Sequence, residues 1–155
     1  MLIESIVGIS IAIIGMTGIF ALLSRSLAIN RDITQKLVAT YLSSEGIEIV
    51  KSLIDTNVVR GGPWNKGVSS GNYEDVPYNA TTLPAPIVGQ ATKKISFENA
   101  SGIYSYNSGS PTPFKRTIKI SELSADEIKV VSDVEWDERN IIQKISLEDH
   151  FFNWR

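Results

Sequence analysis

The chain has 155 residues and 43% hydrophobic content, enough for one modest packed domain and one further element. Its net charge of −2, with Lys and Arg scattered along the chain, offers no basic field for a polyanion and disfavours nucleic-acid binding. Because the sequence contains no cysteine, it excludes a disulfide framework, a thiolate metal site and a cysteine nucleophile.

The first segment stands apart because it is almost free of charge. Residues 1–24 carry one ionisable side chain, Glu4, and residues 6–23 carry none. As a helix rising about 1.5 Å per residue, residues 6–23 would span about 27 Å, close to the hydrocarbon thickness of a bilayer. A removable signal peptide is disfavoured, since the acid precedes the run and the first base, Arg25, follows it. The pattern predicts that residues 1–24 form a membrane-spanning helix half.

The helix is predicted to continue through residues 25–55, which contain no proline and a single glycine, Gly46. Apolar residues recur at broadly helical spacing between charged ones, as in an amphipathic helix. These apolar positions are Leu27, Ile33, Leu37, Tyr41, Leu42, Ile49 and Leu53. A helix of this total length would extend for about 80 Å, more than so small a domain can enclose. One half must therefore be covered by a bilayer or by neighbouring copies of the chain.

The composition changes after Asp55. Residues 56–92 hold most of the prolines and many glycines, asparagines and serines, which predicts a long irregular connecting loop. Residues 93–155 alternate apolar and polar positions in short runs, which predicts an antiparallel β-sheet. A hairpin turning at residues 137–140 would lie on the amphipathic helix half. The expected fold class is therefore α+β.

Four aromatic residues are candidate anchors for the loop or the head, namely Trp64, Tyr73, Trp136 and Trp154. Such large side chains carry much of the burial in a small domain. Binding of a sugar or a surface by aromatic residues of the loop is the less favoured alternative.

No residue pattern indicates an enzyme. His150, the sole histidine, adjoins Asp149, but a terminal histidine among aromatic residues is preferred over a catalytic pair. The acidic clusters lack the glycine and the terminal glutamate of a calcium loop. The sequence therefore predicts no catalytic residue, no metal and no cofactor.

The segment Leu2-Ile3-Glu4-Ser5 and the apolar run after it resemble the mature N-terminus of type IV pilins and of the pseudopilins of type II secretion. The resemblance is specific over this N-terminal segment and loose over the head. It implies a long N-terminal helix packed on a small antiparallel sheet. In the family the glutamate is fifth, whereas here it is fourth. Either an N-methylated first residue precedes Met1, which is favoured, or Met1 begins the mature chain in a shifted register.

Glu4 needs a cationic partner whatever the family, because an ionised carboxylate in hydrocarbon is strongly disfavoured unless it is paired. No basic residue precedes Arg25, so the nearest cation is an N-terminal amine of the same or of an adjacent subunit. The resemblance implies the neighbour's amine, which gives Glu4 and Met1 a role in subunit assembly. The alternative, a carboxylate lying in headgroup water, is disfavoured by its place before a full-length span.

Gly15 and Gly18 lie within the apolar run, where each glycine weakens a helix by about 0.5–1 kcal/mol relative to alanine. They are equally consistent with close packing against another helix. The resemblance implies that this part of the helix often unwinds when subunits leave the membrane. Many members carry a proline near the end of the run, where residues 20–23 here read Phe-Ala-Leu-Leu. Gly15 and Gly18 are thus the candidate melting positions.

The resemblance implies a structural subunit of a type IV pilus-like surface filament, or fimbrium, with attachment, motility or DNA uptake as candidate roles. Its expected partners are other copies in a helical homopolymer, the inner membrane before assembly, and a prepilin peptidase with the pilus assembly machinery. The expected location is a cell-surface pilus, reached from a single-pass membrane stage. A minor pilin or a secretion or competence pseudopilin is one alternative. A single-pass membrane-anchored binding module is another.

Overall fold

A computed structural model describes residues 2–154, in which one long helix precedes seven strands. The helix is α1 (Leu2–Val59). The strands are β1 (Gly71–Tyr73), β2 (Ser96–Glu98), β3 (Ile103–Ser105), β4 (Ser110–Pro111), β5 (Lys115–Ser124), β6 (Glu127–Glu138) and β7 (Ile141–Phe152). The chain divides into two compact units, one up to Leu37 and one from Val38 onward, called the head below. The expected α+β class, with a long helix and antiparallel sheets, is confirmed.

The helix ends four residues later than the sequence pattern predicts, at Val59 rather than Asp55. Gly61 adopts a left-handed conformation with φ of 72°, and its N–H donates to the Val58 carbonyl. The N–H of Gly62 donates to the Asn57 carbonyl, which completes a Schellman motif. The pair of glycines, rather than the change of composition after Asp55, terminates the helix.

The head contains two antiparallel sheets, with strand orders β1-β5-β6-β7 and β3-β2-β4. The β6–β7 hairpin closes through Arg139 and Asn140, both with positive φ, as a two-residue turn of the I′ kind requires. Strand β1 lies inside the connection predicted to be irregular, and it pairs Gly71 with Ile120 and Tyr73 with Ile118. The connection therefore supplies an edge strand to the larger sheet.

One face of α1 packs on the larger sheet from residue 39 to residue 54. Alternate residues of β6 face the helix, which confirms the period-two pattern of this strand. The larger core joins Val50, Leu53 and Ile54 to Tyr73, Ile118, Ile128 and Val130, among others. The smaller core joins Ala39 and Leu42 to Ile95, Phe114, Val134 and Trp136, among others. The predicted contact between hairpin and helix is thus present within the head.

A buried arginine ties the helix to β5 and to the connecting segment. Arg116 is 2% exposed, and its guanidinium donates to the carbonyls of Leu42 at 3.0 Å and Val76 at 2.7 Å. Its Nη1 also lies 2.9 Å from Glu45 Oε1. Burial raises the pKa of Tyr106, whose ring lies beside this guanidinium, although Arg116 itself acts to lower it. The charge of Arg116 is therefore compensated by three acceptors, two from the helix and one from the connecting segment.

Helix and sheet are in close contact at Gly46. A methyl group added there would collide with Ser132 Oγ and lie 3.2 Å from Arg116 Cδ. The adjacent Ser43 hydroxyl donates to the Ser132 carbonyl at 2.5 Å. Because Gly46 has no side chain, the helix backbone can lie directly against the Ser132 and Arg116 side chains of the sheet.

We expect Gly46→Ala to destabilise the head by about 1–3 kcal/mol, since the added methyl group has no space. Denaturant unfolding of the full-length protein in detergent, followed by tryptophan fluorescence, measures this change. Ser44→Ala, on the exposed face of the same helix, is the control and should alter stability by less than about 0.5 kcal/mol. Equal stability of Gly46→Ala and the parent would contradict the close approach.

Candidate assembly surfaces

The N-terminal part of α1 exposes a continuous apolar surface. All residues from 2 to 27 are exposed, and the large apolar side chains up to Leu23 range from 51% exposed at Val7 to 79% at Ile3. The helix is long and apolar enough to cross a membrane, as the sequence predicts. Soluble monomers rarely expose so large a contiguous apolar patch, so this segment requires lipid or protein around it.

The two hydroxyl side chains at Ser10 and Thr17 are satisfied inside the helix itself. Ser10 Oγ donates to the Ile6 carbonyl at 2.8 Å, and Thr17 Oγ1 lies 2.9 Å from the carbonyl of Ile14. Hydroxyls bonded back to their own helix need no water, which suits an apolar environment.

Glu4 lies in the first turn of α1 and is exposed. The positive end of the helix dipole favours a carboxylate in this position. Arg25, the first base along the chain, lies about 30 Å further along the helix axis, too far for an ion pair. Met1 falls outside the described residues, so pairing of Glu4 with an N-terminal amine stays a prediction.

Gly15 and Gly18 are helical, and a methyl group added at either would meet no atom within 4 Å. The two glycines therefore serve no packing contact among residues 2–154. They leave shallow notches on an otherwise bulky apolar surface, where another helix can approach closely. Melting of the helix between them concerns an assembled filament and stays a prediction.

The four candidate anchors occupy different environments. Trp64 and Tyr73 are buried in the larger core, and Trp136 is buried in the smaller one. Trp154 is 89% exposed and contacts the Phe152 ring, with centroids 5.7 Å apart. Three of these aromatic residues therefore fill the head, while the fourth lies on its surface.

The sheet face that points away from the helix carries cross-strand ion pairs. Lys119 and Lys144 approach Asp133 at 2.6 and 2.8 Å, and Lys129 approaches Glu148 at 2.8 Å. This face is paired and polar, which suits contact with water.

The His150 ring belongs to the same polar face. It lies 2.7 Å from Glu127 and 3.2 Å from Glu148, and these hydrogen bonds raise the pKa of the imidazole. The carboxylate of Asp149 instead accepts a bond from the His150 backbone N–H at 2.8 Å. His150 and Asp149 thus do not form the side-chain pair of an acid–base centre.

Asp133 is 1% exposed although it belongs to the outer face. Burial alone would raise its pKa, but hydrogen bonds from Lys119, Lys144 and Ser146 outweigh burial and lower it. A lowered pKa in the folded state provides stability above the ordinary pKa of aspartate, and this stability is lost as pH falls through the folded value. Asp133 therefore makes the head sensitive to acid.

We expect Asp133→Asn to lower stability by about 1.5–3 kcal/mol near neutral pH, because charge-assisted hydrogen bonds are lost. On acidification the variant should lose less stability than the parent. Urea unfolding at about pH 7 and about pH 3 measures both effects. Asp55→Asn, at an exposed aspartate, is the control and should follow the parent. An unchanged response to acid in Asp133→Asn would contradict the assignment.

Comparisons of the chain with protein-family models, with curated proteins and with solved structures find no match.

Proposed function

We propose that the chain is a structural subunit of a type IV pilus-like surface filament and polymerises through its apolar N-terminal helix. The observation that carries this proposal is the exposed apolar run of residues 2–24 with one carboxylate, Glu4, in its first turn. A helix with these features fits a membrane before assembly and a bundle of identical helices afterwards. The resemblance of the N-terminal sequence supports a pilin-like fold and processing by a prepilin peptidase.

The apolar surface continues beyond the length that a bilayer covers. Ile29, Ile33 and Leu37 are between 50% and 57% exposed, and they follow the first base, Arg25. Residues 2–37 extend for about 53 Å, whereas the hydrocarbon layer is about 30 Å thick. Packing between copies of the helix would cover residues on both sides of Arg25, but a membrane anchor would leave the later ones in water. This difference favours assembly over simple anchoring.

Burial of the apolar run between copies of the helix supplies the driving force for assembly. Each Å² of apolar surface removed from water contributes about 25 cal/mol, and every copy in a bundle has several neighbours. Glu4 adds specificity, because a carboxylate in an apolar bundle must meet a cation. An N-terminal amine of the neighbouring copy meets this need at one axial displacement, so pairing would set the register of the polymer.

We expect Glu4→Ala and Glu4→Gln to abolish filaments while the protein accumulates in the membrane, since both remove the charge that sets the register. Electron microscopy of sheared cells and immunoblots of membrane and filament fractions measure this outcome. Glu48→Ala, which removes an exposed carboxylate from the same helix, is the matched control and should leave filaments intact.

A membrane-anchored binding module predicts a different result. In that case the parent and both Glu4 variants would be extracted by detergent as monomers, and no filament fraction would contain the chain. Normal filaments in Glu4→Ala would contradict the role proposed for this carboxylate.

A further inference from the structure

Two exposed apolar patches lie at opposite ends of strand β7. The first, the hairpin tip, consists of Ile141 and Ile142, which are 61% and 73% exposed and follow the β6–β7 turn. The second, the C-terminal groove, has a volume of about 280 Å³. Its apolar lining consists of Ile54, Val58, Trp64, Phe151, Phe152 and Trp154. Strand β7 has 12 residues, so about 36 Å separates the two patches.

Trp154 is held in place although it is exposed. The backbone N–H and the side-chain amide of Asn153 donate to Asp126 at 2.9 and 3.0 Å. The Phe152 ring lies between the Trp154 ring and the His150 ring. A large aromatic side chain that is fixed but left in water is typical of a protein interface.

The two patches face opposite directions along the helix of the head. Near its start, β7 packs through Ile145 on the core that contains Ala39 and Leu42. Near its end, β7 packs through Phe151 on the core that contains Ile54. The hairpin tip therefore points towards the start of the helix within the head, and the groove lies near the end of the helix. Copies with parallel helices, displaced along the helix direction, would bring a tip to a groove.

Each of the two patches has one acidic and one basic residue beside it. Glu138 and Arg139 flank the hairpin tip, and Lys51 and Asp55 line the groove. Lys51 lies 3.8 Å from Glu48, a loose pair that leaves the ammonium available. Glu138 can meet Lys51, and Arg139 can meet Asp55, when the hairpin tip inserts Ile142 into the groove.

We propose that the hairpin tip of one copy docks in the C-terminal groove of the next copy, which forms a head-to-tail contact between heads. This inference rests on the proposed filament and names a second contact within it, separate from the helix bundle. Because the two surfaces differ, the contact is heterologous and repeats without closing on itself. It fits a filament of unlimited length rather than a closed dimer.

The absence of cysteine from the sequence allows a direct test. The full chain carrying both Ile142→Cys and Trp154→Cys is assembled into filaments and oxidised with copper phenanthroline. We expect a ladder of disulfide-linked oligomers on a non-reducing gel, reversed by reductant. Filaments of chains with either single substitution should give only the band of the unlinked chain on the same gel. The matched control combines Trp154→Cys with Val88→Cys, a fully exposed position on the connection, and should give no ladder.

The outcomes separate this inference from the proposed function. Filaments of the double variant that give no ladder would overturn the head-to-tail contact and leave the filament itself standing. Dimers formed by Ile142→Cys alone would indicate an isologous contact and would also overturn it. A parent chain that forms no filament would overturn both proposals.

If the double variant fails to assemble, the two single-variant chains are co-assembled with an excess of the parent chain. Linked dimers that contain one chain of each variant are then expected. Their absence from such mixed filaments would overturn the contact.

Discussion

The exposed apolar surface of the N-terminal helix is the constraint on which the account of this protein depends. Residues 2–27 are all exposed, and the apolar side chains among them form a contiguous surface larger than soluble monomers leave in water. In the proposed filament, lipid covers the run before assembly and identical helices cover it afterwards. A carboxylate in the first turn then limits how those helices can be aligned.

The head, unlike the N-terminal segment, needs no other molecule to cover its apolar side chains, because its own residues provide both its core and its polar surface. The helix from residue 39 to residue 54 packs on a sheet whose outer face carries ion pairs. Arg116 joins three segments through buried hydrogen bonds, and Asp133 joins neighbouring strands through two lysines. Such a domain suits the outer layer of an assembly, where stability must not depend on the neighbours.

Periodic features were predictable from the sequence. The apolar run indicated a helix able to cross a membrane, and alternation along β6 indicated which residues face the helix. Features that depend on turn geometry were not predictable from the sequence. The helix end depends on Gly61 and Gly62 rather than on composition, and β1 is too short to show a period. The hairpin turn was recognisable because its residues were few and polar.

The charged interior of the head was also hidden from sequence reasoning. Asp133 lies on the outer face of β6, the side that the alternation of the strand turns towards solvent. It is nevertheless buried, because lysines from two adjacent strands converge on it. The C-terminal groove has the same origin, since it combines residues from the helix, the connection and the last strand. Tertiary contacts of this kind leave no local pattern.

Quantitative mass spectrometry of filaments sheared from the source cells tests the central claim most directly. The account predicts that this chain is a stoichiometric component that dominates the protein of the filament. A trace amount would instead indicate a minor or tip subunit. Absence from the filaments, together with abundance in the membrane fraction, would contradict polymerisation and favour a membrane-anchored module.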